Sequence, residues 1–201
     1  MSPTSTGWTA RSNGSGSRGC CTPRVSGCEP PRIATVRLFA AVFPPDDVCW
    51  DLRRRLLGTR RPARVRLTPI DRWHVTLAFI GEVPAGRLPE VERVLGAVSV
   101  PKGTALRLRG GGRFGQGRSA ALWAGVDGEL GELHADVRER LRAADLPYDG
   151  RPFTPHLTVA YADDIEVRAA LDGYAGPSWS LGELALVRSD PGAGYTTLRS
   201  W

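Results

Sequence analysis

Two segments of this 201-residue chain repeat one pattern. Trp73-His74-Val75-Thr76-Leu77-Ala78 and Pro155-His156-Leu157-Thr158-Val159-Ala160 both read His-x-Thr-x, with apolar residues at x. Such alternation marks a half-buried strand. Side chains change face at each step, so His74 and Thr76 point one way, as do His156 and Thr158. Val75, Leu77, Leu157 and Val159 point the other way, into a core. The chain must therefore bury one side of two matching strands and leave histidine and threonine on the other. It has only three histidines, and two of three followed by Thr at that spacing arises by chance in about one such chain in a hundred. A lone His-x-Thr is more often a satisfied strand histidine; a matched pair favours chemistry.

The rest of the chain supplies elements to build around those strands. Residues 1–32 are rich in Ser, Gly, Thr, Pro and Arg and are expected to form a disordered tail. An ordered domain is expected over residues 33–201. It opens with an apolar strand over residues 33–43, stopped by Pro44-Pro45. Asp46-Asp47 is expected to cap a helix that runs to Leu57 and ends at Gly58. Residues 65–68 read as a short edge-like strand before Pro69, and residues 74–80 as a strong strand ended by Gly81. A helix over residues 88–95 follows. Strands over 104–109 and 120–126 flank the Gly-rich stretch 110–117, expected to be a loop. The helix over 129–144 sets Leu130, Leu133, Val137 and Leu141 on one face. A strand over 156–161, a short helix over 165–171 and strands over 181–187 and 195–201 complete the pattern. Strands mixed with helices and hairpins predict an α+β fold, not a doubly wound parallel sheet.

Composition narrows the partners. The net charge is +6, of which the first 32 residues hold +3 through Arg11, Arg18, Arg24 and Arg32 against Glu29. The domain keeps the other +3, and a mildly basic domain suits a polyanionic ligand. No apolar run approaches the roughly 20 residues that span a bilayer, so no membrane partner is expected. The first thirty residues lack the apolar core of a secretory signal, and a cytoplasmic protein is expected. Cys20, Cys21, Cys28 and Cys49 do not pair with histidines at metal-binding spacing. The first three make at most a zinc half-site without a fourth ligand, so free thiols in a reducing compartment are expected.

Further segments extend the motif. They include Arg37-Leu38-Phe39-Ala40-Ala41-Val42 with Pro44-Pro45, and Phe79-Ile80-Gly81-Glu82-Val83 after the first His-x-Thr. Phe114-Gly115 precedes Leu122-Trp123-Ala124-Gly125, and Arg151-Pro152-Phe153-Thr154 leads into the second motif. Leu186-Val187-Arg188-Ser189, with Tyr195 and Leu198, closes the chain. With these segments the chain resembles the RNA 2′,3′-cyclic phosphodiesterases, or 2′,5′ RNA ligase-like proteins, of the two-histidine phosphoesterase superfamily. The resemblance spans residues 36–201. It implies a bilobal fold, two pseudo-symmetric lobes of antiparallel sheet plus helices around a central cleft, in a monomer. It implies His74 as proton donor and His156 as proton acceptor, with Thr76 and Thr158 on the phosphate oxygens and no cofactor. The implied reaction opens RNA 2′,3′-cyclic phosphate ends to 2′-phosphomonoesters, with reversible 2′-5′ RNA ligase activity beside it. Many members carry Arg five residues after the second histidine, where this chain has Tyr161. Arg151 and Arg113 are the candidates to replace that cation.

The chemistry agrees with those residue types. Opening a cyclic phosphate needs a base for water and an acid for the leaving oxygen, and histidine titrates near pH 6.5, so one ring can be neutral while the other is charged. Threonine hydroxyls can donate to the oxygens that gain charge. No metal is required. Phe153 and Tyr161 flank the second motif and are candidates to stack a nucleobase, with core packing an equal reading for Phe153. The stretch 110–117 lacks the Gly-Lys-Ser/Thr end of a P-loop; it is read as a hairpin turn or as a mobile rim carrying Arg113 and Phe114. His134, one residue after Leu133, is read as a surface or partly buried helix residue. The rivals are a phosphodiesterase for small cyclic nucleotides, a non-catalytic RNA-binding module and a metallohydrolase. The last is disfavoured because no Asp or Glu shares the strand faces of the two histidines.

Overall fold

In the computed structural model, which describes residues 34–201 apart from the side chain of Arg118, the first apolar run becomes β1 (Thr35–Val42), with its last five residues buried. The expected tail, Ile33 and the first three cysteines lie outside the described residues. After β1 come α1 (Asp46–Leu57), β2 (Val75–Pro84), α2 (Leu88–Gly96), β3 (Ala105–Phe114) and β4 (Ala121–Asp127). Then follow α3 (Gly131–Ala143), β5 (His156–Ala160), α4 (Ile165–Asp172), β6 (Ala175–Ser180), β7 (Ala185–Asp190) and β8 (Gly194–Ser200).

The eight strands form one sheet in the order β6-β3-β4-β5-β2-β1-β7-β8, and every neighbouring pair is antiparallel. The fold is α+β, built as two four-strand halves. They meet where β2 faces β5, at the single register pair Val75–Leu157. The order strand, helix, His-x-Thr strand occurs in both halves, as β1-α1-β2 and as β4-α3-β5. The helices cross over, α3 packing on β2 and α1 on β6. That exchange joins the halves through a common core.

The helices bury the stripes that their periodicity dictates: Val48, Leu52 and Leu56 on α1, Leu133, Val137 and Leu141 on α3. Each such side chain contributes about 1.5–3 kcal/mol on burial. Val75, Leu77, Leu157 and Val159 are at most 2% exposed, as the alternation requires. A small separate cluster of Phe39, Ala41, Ala185 and Val187, with Phe79 against it, packs apart from this core.

Several local expectations are corrected. The residue before α1 is Pro45, with no side-chain cap; Asp46 and Asp47 sit in the first turn, where carboxylates complement the helix dipole. Residues 65–68 form no strand: Leu67 makes one bridge to Ala160. β2 does not end at Gly81 but continues to Pro84, with Gly81 (φ 84°) beside a bulge where β2 holds the extra residue Ile80 between the partners of Leu38 and Phe39. The Gly-rich stretch is largely strand, since β3 runs to Phe114 and only the following residues turn. A Cβ on Gly112 would lie 2.3 Å from the Trp123 ring, so the glycine serves close packing there rather than flexibility. The strand expected over 181–187 lies at Ala185–Asp190, and β6 was not anticipated.

Candidate active site

His74 directly precedes β2, and His156 opens β5. The Val75–Leu157 pair sets the local register, which places His74 across from Thr158 and Thr76 across from His156 on one face. All four side chains line a single cavity of about 640 Å³. A connection from α1 closes one side of it. There the Trp73 indole N–H donates to Thr68 Oγ1 at 2.7 Å, and that hydroxyl donates to the Thr158 carbonyl at 2.9 Å. The Thr68 amide donates to the Val159 carbonyl at 2.8 Å. The segment just before the first motif is thus stitched to the second.

Both imidazoles are held alike. His74 Nδ1 lies 2.7 Å from the Arg72 carbonyl, and His156 Nδ1 lies 2.6 Å from the Thr154 carbonyl. A carbonyl only accepts, so each Nδ1 carries the proton, and Nε2 is the nitrogen left for chemistry. Aromatic rings fix the planes. Phe39 and Tyr195 lie 4.8 and 5.2 Å from the His74 ring centre; Phe114 and Trp123 lie 4.8 and 5.9 Å from that of His156.

Burial is the main reason that both histidines titrate below their ordinary range. The hydrogen bond to the Arg72 or Thr154 carbonyl opposes this in each case. The His156 charge lowers His74 further, and Arg151 lowers His156. A proton on one ring therefore disfavours a proton on the other. The doubly charged pair is disfavoured, and the two rings take up protons in separate steps.

The other sequence candidates divide. Tyr161 reaches the main cavity and stays 69% exposed. Arg151 and Phe153 do not; they line an adjoining cavity of about 470 Å³ that shares Thr76, Phe79 and His156 with the first. Arg151 Nε donates to Asp149 at 2.7 Å. Phe153 stacks flat on His134, ring centres 4.0 Å apart. His134 is the half-buried helix residue expected, donating from Nδ1 to the Leu77 carbonyl at 2.7 Å. Arg113 is the clear departure: it pairs with Asp163 and lines a separate groove with Arg168 and Asp172. Its neighbour Phe114, by contrast, stands edge-on to His156.

Sequence reasoning assigned no role to Arg37, Arg64, Arg66 and Arg72, which also line the main cavity, while no Asp or Glu does. The alternation Arg64-Val65-Arg66-Leu67 was the available signal. Among the described residues, no group of three or more His, Cys, Asp or Glu is placed to hold a metal ion. Cys49 is buried in the core, its thiol pushed up to about 11 by burial and by Asp46 and Asp47. No described helix is long and apolar enough to cross a membrane.

The class defined by this architecture is an α+β protein whose two pseudo-symmetric halves each bring a His-x-Thr strand to a shared cleft. A Thermus thermophilus protein, TT0787, has a crystal structure that matches over 82% of this chain and 96% of that one, with a TM-score of 0.67 and 28% identity. Residues 43–193 match the model of the 2′-5′ RNA ligase superfamily, and the chain belongs to that family. An RNA 2′,3′-cyclic phosphodiesterase of Thermus thermophilus is 33% identical over 182 residues, 83% of this chain and 89% of that protein. One from Geobacillus stearothermophilus is 38% identical over 92 residues, which are 44% of this chain and 29% of the relative.

Proposed function

We propose that this protein is an RNA 2′,3′-cyclic phosphodiesterase that hydrolyses cyclic phosphate ends to 2′-phosphomonoesters by metal-independent acid–base catalysis. The observation that carries the reading is the matched pair of imidazoles, each held through Nδ1 on a backbone carbonyl two residues upstream and each beside a threonine. The name shared by its relatives supports the substrate class.

Neutral His156 takes a proton from water as the water oxygen attacks phosphorus. The bond from phosphorus to the 3′ oxygen breaks, and charged His74 delivers its proton to that oxygen. Phosphate stays on the 2′ oxygen. Thr76 and Thr158 donate hydrogen bonds to the non-bridging oxygens as their charge grows. Tyr161 stands exposed at the cavity, where a ring can stack a base. A 5′-hydroxyl of a second strand in place of water gives a 2′–5′ linkage by the same displacement. Both motifs come from one chain, which supports a monomer as the working unit; the composition fits a cytoplasmic setting.

A cyclic mononucleotide is the second reading, because a cavity of about 640 Å³ is of small-ligand size. The test is turnover of a short oligonucleotide with a 2′,3′-cyclic end, beside the cyclic mononucleotide, in the presence of EDTA. The expected product is the 2′-phosphomonoester. Loss of activity in EDTA with recovery in zinc overturns the mechanism, a 3′-phosphate product overturns the orientation, and RNA binding without turnover overturns catalysis.

A further inference from the structure

The histidine cavity continues into a second groove of about 480 Å³, and the two share Arg66 and Leu67. Arg72, Arg66 and Arg64 line the first; Arg66, Arg61 and Arg53 line the second. No Asp or Glu lines either. Of the fifteen arginines with described side chains outside these two cavities, ten have a carboxylate partner and five do not. Arg64, Arg66 and Arg72 have no carboxylate within 4.0 Å among the described residues.

This basic wall is also anchored. Val65 is 5% exposed, its amide donates to the Pro62 carbonyl, and Leu67 and Thr68 hold the segment to β5. Arg64 and Arg66 are exposed on either side of buried Val65, and both line the histidine cavity. Cations set in a row on a fixed backbone, without carboxylates, suit a chain of anions.

We propose that this groove is the bed for the sugar–phosphate backbone of single-stranded RNA on the 5′ side of the reacting end. The strand leaves the histidine cavity past Arg72, pairs successive phosphates with Arg66 and Arg64, and continues towards Arg61 and Arg53. The inference rests on the proposed function for the identity of the end inside the cavity. Exposed Tyr161 favours nucleic acid over an acidic peptide, because a base can stack on it. The consequence is selectivity for length: an oligonucleotide end binds more tightly than a cyclic mononucleotide.

Binding tests this without depending on turnover. Fluorescence anisotropy with 5′-labelled RNA of two, four and six nucleotides, each ending in a 2′-phosphate, is read across a salt series. Kd is expected to fall with length, and log affinity to fall against log salt by about 0.7 per phosphate held. Arg64→Gln/Arg66→Gln should remove about 1.4 from that slope and weaken the longest RNA more than the shortest. Arg64→Lys/Arg66→Lys, which keeps the charge, should restore most of it. A Kd independent of length, an unchanged salt slope, or equal displacement by polyglutamate overturns the groove. Length-dependent binding without turnover of any cyclic end leaves the groove standing and removes the proposed reaction. Turnover with the same KM at every length, together with a length-independent Kd, does the reverse.

Discussion

A histidine passes a proton in one direction only when its ring is held, and His74 and His156 are held by the same device on two strands. The sequence shows why the device repeats, since each carbonyl partner lies two residues before its histidine. It does not show the aromatic rings around them, because Phe39, Tyr195, Phe114 and Trp123 come from four other strands or turns. Removing either imidazole, as His74→Ala or His156→Ala, should cost roughly 10²–10⁴-fold in kcat on a cyclic oligonucleotide. On a nitrophenyl ester, whose leaving group needs no proton, His74→Ala should recover part of that loss and His156→Ala none. An exchange of the two behaviours reverses the roles. The pH profile follows from the directions of shift. Both rings titrate below about 6.5 in the free protein, so the singly protonated pair is most populated on the acid side of that value. The optimum of kcat/KM should therefore lie below about pH 6.5, and that of kcat higher, because bound phosphate stabilises the imidazolium. A kcat/KM optimum well above neutrality contradicts the assignment.

Among the elements, periodicity revealed those with a buried face and missed those that depend on a neighbour. The stripe on α3 and the alternation on β2 and β5 were legible because each element buries its own pattern in one core. β6 was not, because Gly176 and Pro177 interrupt it and it lies at the sheet edge, where proline is tolerated. The Val65–Thr68 segment failed as a strand for a topological reason. The β2–β5 ladder stops at Val75–Leu157, and Leu67 and Thr68 take up the part of β5 beyond it. Thr68 links that segment to both motifs, and Thr68→Val keeps its shape while deleting the hydroxyl. The change should destabilise the fold by about 1–3 kcal/mol in urea unfolding, because it strands the indole N–H of Trp73, itself 2% exposed. Gly112→Ala should displace the Trp123 ring that flanks His156, costing about 1–3 kcal/mol and part of kcat. A stable, fully active Gly112→Ala protein contradicts the close-packing account.

The whole molecule carries three half-buried histidines, and desolvation lowers the titration of His74, His134 and His156 alike. In the unfolded chain each takes a proton near pH 6.5. A lowered folded value means that the unfolded chain binds protons first as pH falls, so stability is complete above about 6.5 and is lost below it until the folded rings also titrate. Tm should fall between neutral pH and pH 5, and less steeply in a His74→Asn/His156→Asn protein; parallel curves would remove these rings as the cause. By itself the sequence determined that two matching strands bury Val75, Leu77, Leu157 and Val159 and turn His and Thr outward, because a period of two leaves no other arrangement on a half-buried sheet. It also determined the helical face of α3. Only the tertiary structure decided that the two strands become neighbours at one register pair, that Arg113 is taken by Asp163, and that Arg64, Arg66 and Arg72 are left along the cleft without carboxylates. These are contacts between segments far apart in the chain, and local pattern does not encode which of many distant residues will meet.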